Sequence, residues 1–204
     1  SRNKIINGAM VIDQRNAGDS VTLTSGGLFI TDRFVGYEDT DGTMTGQQVL
    51  KSASSGNAPT GFSSSLLFTT GTADASLSAA QYVAFGQNIE GLNVSDLDWG
   101  TANASTITLS FYVKSSLTGT FSGSLRNSTP NRCYVFTYTI NSANTWEQKS
   151  ITIAGDTSGT WLTTNGVGIG LLFSLGAGST VSGTAGAWSG SGLYSATGAT
   201  SVVG

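Results

Sequence analysis

The clearest element in the sequence is a strand over residues 107–114, in which apolar and polar side chains alternate. One row contains Ile107, Leu109, Phe111 and Val113, and the other contains Thr108, Ser110, Tyr112 and Lys114. A period of two places the rows on opposite faces of a pleated strand, and β-branched and aromatic residues suit that surface. Loop residues precede the strand and a Thr-Gly turn follows it. We therefore predict a strand in the middle of a sheet.

Short apolar or alternating runs recur along the rest of the chain, with turn signals about every ten residues, as in a sandwich or barrel. The predicted strands cover residues 5–12, 21–23, 29–34, 47–53, 64–70, 79–89, 119–127, 132–140, 145–153 and 167–175. An acidic loop is predicted at residues 38–42. Residues 73–80 are a weak helix candidate, with a turn as the alternative. No linker divides the sequence, so we predict one domain over residues 1–204.

Alternation in consecutive strands predicts an all-β fold, an antiparallel β-sandwich. Trp146, at the start of a strand, is expected in the core. The lone Cys133 cannot form an internal disulfide and is expected to be a small buried residue. The other predicted core residues are Leu109, Phe111, Val113, Val135, Ile151, Ile153, Ile169 and Leu171.

Composition excludes several functions. The net charge is −3 and no cluster of Lys and Arg is present, so binding to nucleic-acid phosphates is not expected. The longest apolar run is too short to span a bilayer, so no membrane contact is expected. The sequence has no His, which removes Ser-His-Asp, Cys-His and His-metal chemistry. Although only 10% of the residues are charged, 38% are hydrophobic, which is enough for a core.

A pair of carboxylates could still hydrolyse a glycoside. Asp96 and Asp98 are two residues apart and would share a face if the segment were extended. Their context, SDLDWG, favours a loop leading into a strand instead. We therefore predict no catalytic residues and no enzyme, with a carboxylate-dependent depolymerase as the least favoured alternative.

Several segments resemble those of known proteins. The chain opens with IINGAMVIDQR and then TDRF, and continues with QYVAFGQNIEGLNVSDLDWGTANASTITLSFYVKSSLTGTFSG and NTWEQKSITIAGDTSGTWLTTNGVGIGLLFSLGAGS. In this order, over most of the chain, they resemble a family of bacteriophage tail-fibre and virion-appendage domains with a carbohydrate-binding-module-like jelly roll. The resemblance implies a jelly-roll fold and a virion location. It also implies one further apolar closing strand, which is not seen after the Ala-Thr-Gly-rich segment.

Two functions follow from the resemblance. The first is a fibre or appendage domain whose partners are other virion subunits and host cell-surface polysaccharide. The second is a purely structural capsid-decoration or fibre-spacer domain without a ligand. An exposed aromatic platform favours the first, and large subunit contacts favour the second.

A glycan site needs flat aromatic faces beside amide, hydroxyl and carboxylate groups. Trp99, Trp161 and Tyr112 are the candidate platforms, with Asp98 and Asn103 as polar partners. The resemblance to carbohydrate-binding jelly rolls, rather than their spacing, implies that they are neighbours. The alternative is that each Trp packs in the core or at its rim.

Residues 38–43, EDTDGT, have the Asp-x-Asp-Gly appearance of a calcium loop. Asp39 and Asp41 would be the ligands of a structural calcium ion, and no other cofactor is expected. The sequence lacks the distal Glu of an EF-hand, and a solvated acidic turn is the alternative.

The sequence after Asp156 contains no Asp, Glu, Lys or Arg. Soluble surfaces normally carry both charge signs. Residues 176–204 are rich in Gly, Ser, Thr and Ala, with isolated apolar anchors such as Trp188 and Tyr194. We expect this segment to pack against other copies, as in a homotrimeric fibre or a capsid-bound cluster. A flexible uncharged tail is the alternative.

Overall fold

The computed structural model describes residues 2–204 and is an antiparallel β-sandwich built on one seven-stranded sheet. This large sheet has the strand order β13-β9-β8-β11-β6-β3-β2, and a short helix, α1 (Gly91–Val94), follows β6. One-turn 3₁₀ helices cover Ser55–Asn57, Ser95–Leu97 and Ser179–Val181. The strands are β1 (Val21–Thr22), β2 (Leu28–Thr31), β3 (Phe34–Asp39), β4 (Met44–Leu50), β5 (Ser64–Thr70), β6 (Tyr82–Glu90), β7 (Ile107–Val113), β8 (Gly119–Arg126), β9 (Cys133–Ile140), β10 (Glu147–Ile153), β11 (Val167–Ala177), β12 (Ser182–Gly183), β13 (Trp188–Ser189) and β14 (Ser195–Ala196).

Two smaller sheets cover one face of the large sheet, which we call the inner face. They have the orders β1-β4-β5 and β10-β7. Phe68 of β5 stacks on Phe85 of β6 with ring centroids 4.2 Å apart, and Phe111 of β7 lies edge-on to Phe173 of β11 at 4.9 Å. The chain passes repeatedly between the layers, as in jelly-roll sandwiches. With 40% strand and 6% helix, the predicted all-β sandwich is confirmed.

The central strand of the large sheet is β11, which pairs with β6 on one side and β8 on the other. Its sequence, VGIGLLFSLGA, is nearly continuously apolar, as expected for a strand buried on both faces. The prediction that residues 107–114 lie in the middle of a sheet is wrong, because β7 pairs only with β10. The strict alternation of β7 instead reflects one face packed on the core and one face in solvent.

The main core cluster lies between the large sheet and the β7–β10 pair. Of the predicted core, Val135, Ile153, Ile169 and Leu171 are buried. Leu109, Phe111 and Ile151 are partly buried against the main cluster, and Val113 is half-buried. Cys133 is fully buried, as predicted.

Trp146 is not in the core, contrary to the prediction. It is half-buried, its indole N–H donates to the Gly56 carbonyl at 3.0 Å, and the Lys114 ammonium lies 5.2 Å from a ring centroid. A Trp at the start of an outer strand can cover the sandwich rim while its polar edge stays near water.

Residues 182–203 form a C-terminal strap that covers part of the opposite, outer face of the large sheet. Ala185, Leu193, Ala196 and Ala199 pack against Cys133 and Val135 of β9, and the Ala196 N–H donates to the Ser122 hydroxyl of β8. Small side chains allow this close approach. These contacts bury one side of the strap, but most of its residues keep partly or fully exposed surface, and contact with other copies stays a prediction.

The end of the strap turns into the sandwich beside the three-stranded sheet. Val203 is 3% exposed and packs with Leu23, Ile30, Met44 and Val83. Its carbonyl accepts a hydrogen bond from the Asp74 N–H at 2.6 Å. The strap is thus anchored at both the outer face and the core.

Three local predictions are wrong. Residues 5–12 form turns rather than a strand, because Asn7 and Met10 adopt left-handed backbone angles and the Asn7 side chain bonds to Ile12 and to the Asp32 carbonyl. The strand predicted over residues 29–34 is broken by a turn at residues 32–33, where β2 gives way to β3. Glu38 and Asp39 end β3 instead of lying in a loop. For residues 73–80 the turn, which was the alternative to a helix, is the one found, together with bends. Among the helices of residues 2–204, none has the length and apolar character needed to cross a membrane.

Candidate functional site

The predicted platforms Trp99 and Trp161 are buried, at 7% and 8% exposure. Together with Trp188 they form a triad of edge-to-face rings, with centroids 4.9–5.3 Å apart. Each indole N–H donates to a backbone carbonyl: Trp99 to Ser105, Trp161 to Ser158 and Trp188 to Ala154. The triad therefore closes one end of the core, and it leaves little ring surface for a ligand.

The predicted polar partners lie near this triad but are exposed. Asp98, in a left-handed backbone conformation, lines a small cavity of about 100 Å³ with Trp99 and Trp161. Asn103 is exposed in the following loop. Tyr112 does not line this cavity; it is 40% exposed on the solvent face of β7, edge-on to Phe62. The structure thus brings three of the five predicted residues to one cavity and places Tyr112 on another surface.

The predicted calcium ligands Asp39 and Asp41 are both exposed. The Asp41 N–H donates to the Asp74 carboxylate at 3.1 Å. Within residues 2–204, no group of three or more His, Cys, Asp or Glu side chains is placed to hold a metal ion. A structural calcium ion at Asp39 and Asp41 stays a prediction.

A larger concave site lies on the outer face of the large sheet, where the strap leaves it uncovered. We call it the groove; its volume is about 210 Å³. Asn88 of β6, Gly170 of β11 and Arg126 of β8 lie side by side across three adjacent strands and form its floor. Tyr194 of the strap contributes a wall. The lining residues are Tyr37, Asn88, Arg126, Asn127, Ser128, Pro130, Val167, Gly170, Leu172 and Tyr194.

Arg126 is held in the groove by aromatic stacking. Its guanidinium carbon lies 4.4 Å from the Tyr194 ring centroid, and Tyr82 stacks on Tyr194 at 4.0 Å. Since both neighbours are this close, they occupy opposite faces of the Tyr194 ring. One guanidinium nitrogen, Nη1, also donates to the Gly192 carbonyl at 3.2 Å. This contact and the stack hold the guanidinium in place, as a cation–π pair does.

Arg126 has no carboxylate partner within residues 2–204. The ion pairs found there join Lys4 to Asp96, Arg33 to Glu90, Arg132 to Asp156 and Lys149 to Glu147. A guanidinium carries five N–H donors, and only one contact to a neutral carbonyl is made here. The remaining donors are free for a ligand.

Two tyrosines, Tyr37 in the groove and Tyr82 stacked on Tyr194, stay neutral. Burial raises the pKa of Tyr82 above its usual value of 10. Burial also raises the pKa of Tyr37, against the opposing effect of the Arg126 charge. Both hydroxyls therefore act as neutral hydrogen-bonding groups at physiological pH.

The groove carries groups suited to binding a polar ligand. None of its lining residues is His, Cys, Asp or Glu, so it contains no carboxylate pair. It offers a cation, the Asn88 amide, the Tyr37 and Ser128 hydroxyls, and apolar surface from Pro130 and Val167. Its volume is below the ~300–1,000 Å³ of a pocket for a drug-sized ligand, which fits a terminal sugar or another small polar group.

Comparison with protein-family models, curated protein sequences and solved structures gave no significant match. Only the geometry of the groove therefore indicates what it can bind. Sequence reasoning missed its residues, because Tyr37, Asn88, Arg126 and Tyr194 are brought together only by strand register and by the strap. The one feature in the sequence that points to this site is Arg126 near the end of a predicted strand, and an arginine in that position does not by itself indicate a binding site.

Proposed function

We propose that this chain is a non-enzymatic carbohydrate-binding sandwich domain of a virion appendage, and that the groove is its glycan site. The observation that carries the binding proposal is Arg126, which stacks on Tyr194, pairs with no carboxylate within residues 2–204 and lines the groove beside Gly170. The virion location and the host polysaccharide partner rest on the resemblance of the sequence to tail-fibre and appendage domains.

The chemistry of the groove supports a sugar ligand. Sugar hydroxyls need closely spaced donors and acceptors, and the apolar faces of a pyranose need aromatic or aliphatic surface. Arg126, Asn88 and Tyr37 supply the polar groups on three strands of one sheet, and Pro130 and Val167 supply apolar surface. Side chains on a rigid sheet lose little entropy when a ligand binds.

A glycan array with the full chain, followed by titration calorimetry of the strongest binders, tests this proposal. Arg126→Gln is expected to weaken binding about tenfold or more, because hydrogen bonds from a charged donor are strong. Arg15→Gln is the matched control, since the Arg15 guanidinium also stacks on an aromatic ring, Phe29, at 4.5 Å, but does not line the groove. A blank array for the folded protein, or equal effects of both substitutions, would overturn the proposal.

A structural role as an assembly subunit is the second candidate function. It is favoured by exposed apolar side chains in the N-terminal region, where Val11 is 53% and Ile12 47% exposed. Such residues, if covered by neighbouring copies, would contribute to an oligomer such as the homotrimer expected from the uncharged segment 176–204. Sedimentation velocity at micromolar concentration tests this: a trimer that Val11→Ser/Ile12→Ser dissociates supports it, and a stable monomer contradicts it.

A further inference from the structure

The groove presents one positive charge that its surroundings do not neutralise. Glu90 lies on the same face of β6, two residues beyond Asn88, but its carboxylate accepts both guanidinium hydrogen bonds from Arg33, at 2.7 and 2.8 Å. Asp39 is exposed at the end of β3, and no ion pair joins it to Arg126 within residues 2–204. Arg126 is therefore a positioned cation facing an open cavity in a chain whose net charge is −3.

Arg126 is oriented as well as unpaired. Stacking on Tyr194 fixes the plane of the guanidinium, and the Gly192 carbonyl fixes one of its nitrogens. A planar guanidinium with two free parallel N–H groups matches the two oxygens of a carboxylate. A surface Lys would supply charge without this geometry.

Gly170 places no side chain between Asn88 and Arg126 in the floor of the groove. A Cβ atom at position 170 would lie 3.2 Å from the Asn88 Oδ1 and 3.8 Å from the Arg126 carbonyl oxygen, so the Asn88 amide reaches inward over Gly170. The Asn88 amide and the Arg126 guanidinium line the same cavity, where both can contact one sugar residue.

We propose that the groove selects an acidic saccharide, whose carboxylate is bound by two N–H groups of Arg126 and whose ring hydroxyl is bound by the Asn88 amide. This specificity rests on the proposed glycan-binding function. Hexuronates and nonulosonates are the sugar classes that carry such a carboxylate. The Tyr37 hydroxyl and the exposed Pro130 contact the rest of the sugar.

The test compares oligosaccharides that differ only in the carboxylate. Hexuronate oligomers are measured beside their carboxyl-reduced neutral counterparts, and nonulosonate-capped and sulfated glycans are included in the same calorimetric series. The acidic oligomer is expected to bind about 10- to 100-fold more tightly than its neutral counterpart. Arg126→Gln is expected to remove this difference, Arg126→Lys to reduce it, and Arg15→Gln to leave it unchanged.

The outcomes separate this inference from the proposed function. If neutral glycans bind as tightly as acidic ones and Arg126→Gln affects both equally, the groove is a glycan site without acidic selectivity, and the inference is overturned. If only sulfated glycans bind, carboxylate recognition is also overturned. If no glycan binds the folded chain, the proposed function itself fails. Retained thermal stability of each variant excludes unfolding as the cause.

Discussion

Arg132 and Arg126 lie six residues apart in one hairpin and serve different purposes. Arg132 donates from Nε and Nη2 to the Asp156 carboxylate, both at 2.7 Å, and Asp156 is 2% exposed. Arg126 has no such partner within residues 2–204. An arginine paired with a buried carboxylate is a structural element, whereas an unpaired arginine in a cavity is available for binding.

Asp156→Ala is expected to destabilise the fold by about 3–5 kcal/mol, because it leaves the Arg132 charge without its partner at a largely buried position. The measurement is the free energy of unfolding from urea denaturation. Asp96→Ala is the matched control, since it breaks the Lys4 ion pair at a solvent-exposed carboxylate and should leave the urea midpoint unchanged. Equal midpoints for the two variants would contradict this reading of Asp156.

Glu90 gives a pH dependence of known sign. Hydrogen bonds from Arg33 hold the pKa of its carboxyl at about 2, below the usual 4.5. Because the charged form is favoured in the folded state, the stabilisation is present above pH 4.5 and is lost as the pH falls towards 2. The pair is partly solvent-exposed, so the effect is modest.

Melting temperatures measured from pH 7 to pH 2 are therefore expected to fall more steeply for the natural chain than for Glu90→Gln below pH 4.5. Both proteins retain Glu147, whose pKa is also lowered to about 2, mainly by a hydrogen bond from Lys149. The melting temperature of Glu90→Gln is therefore still expected to fall to some extent in acid. Parallel curves for the two proteins would contradict the assignment to Glu90.

At the scale of elements, the strap and the central strand carry the architecture. The strap contributes β13 to the edge of the large sheet, covers Cys133 and Val135, and inserts Val203 into the core. It also supplies Tyr194, which positions Arg126. The groove therefore depends on the strap being docked.

Val203→Ala is expected to cost about 1.5–3 kcal/mol of stability, the range for burying such a side chain. Val11→Ala, at a 53% exposed position, is the control and should have little effect. Urea denaturation measures the difference. If both substitutions have the same small effect, the end of the strap is not part of the core.

Cys133 reports directly on strap docking, because it is fully buried and its sulfur lies 3.3 Å from the Ser189 hydroxyl of the strap. An aromatic disulfide reagent is expected to react slowly with the native chain and faster with Val203→Ala, in proportion to the loss of stability. Rapid reaction of the native thiol would mean that the strap does not cover β9.

The strands could be predicted from the sequence, but their arrangement could not. Alternation located β7, β9 and β10 to within two residues at each end. Alternation did not show which strand is central in a sheet. The alternating β7 lies in a two-stranded sheet, whereas the continuously apolar β11 lies at the centre of the large sheet. The Trp residues of the Gly-rich loops were predicted as exposed platforms, yet Trp99 and Trp161 pack on Trp188, which reaches them only through the strap.

At the scale of the whole molecule, three layers define where a ligand can bind. The smaller sheets cover the inner face, the strap covers part of the outer face, and the groove occupies the part left open. The site residues come from four strands, the turn after β8 and the strap, so no short motif in the sequence encodes them. This is why the groove appears only once the register of β6, β11 and β8 is known.

The central claim, that the groove binds a glycan, is tested most directly by amide chemical-shift mapping of the isotope-labelled full chain, titrated with an oligosaccharide that binds on the array. We expect the largest shifts at Asn88, Arg126, Gly170 and Tyr194, with the Arg126 side-chain Nε–H among them. Shifts centred instead on Trp99, Trp161 and Asp98, or on Tyr112, would contradict the claim that the groove is the glycan site and would place the site on one of those surfaces.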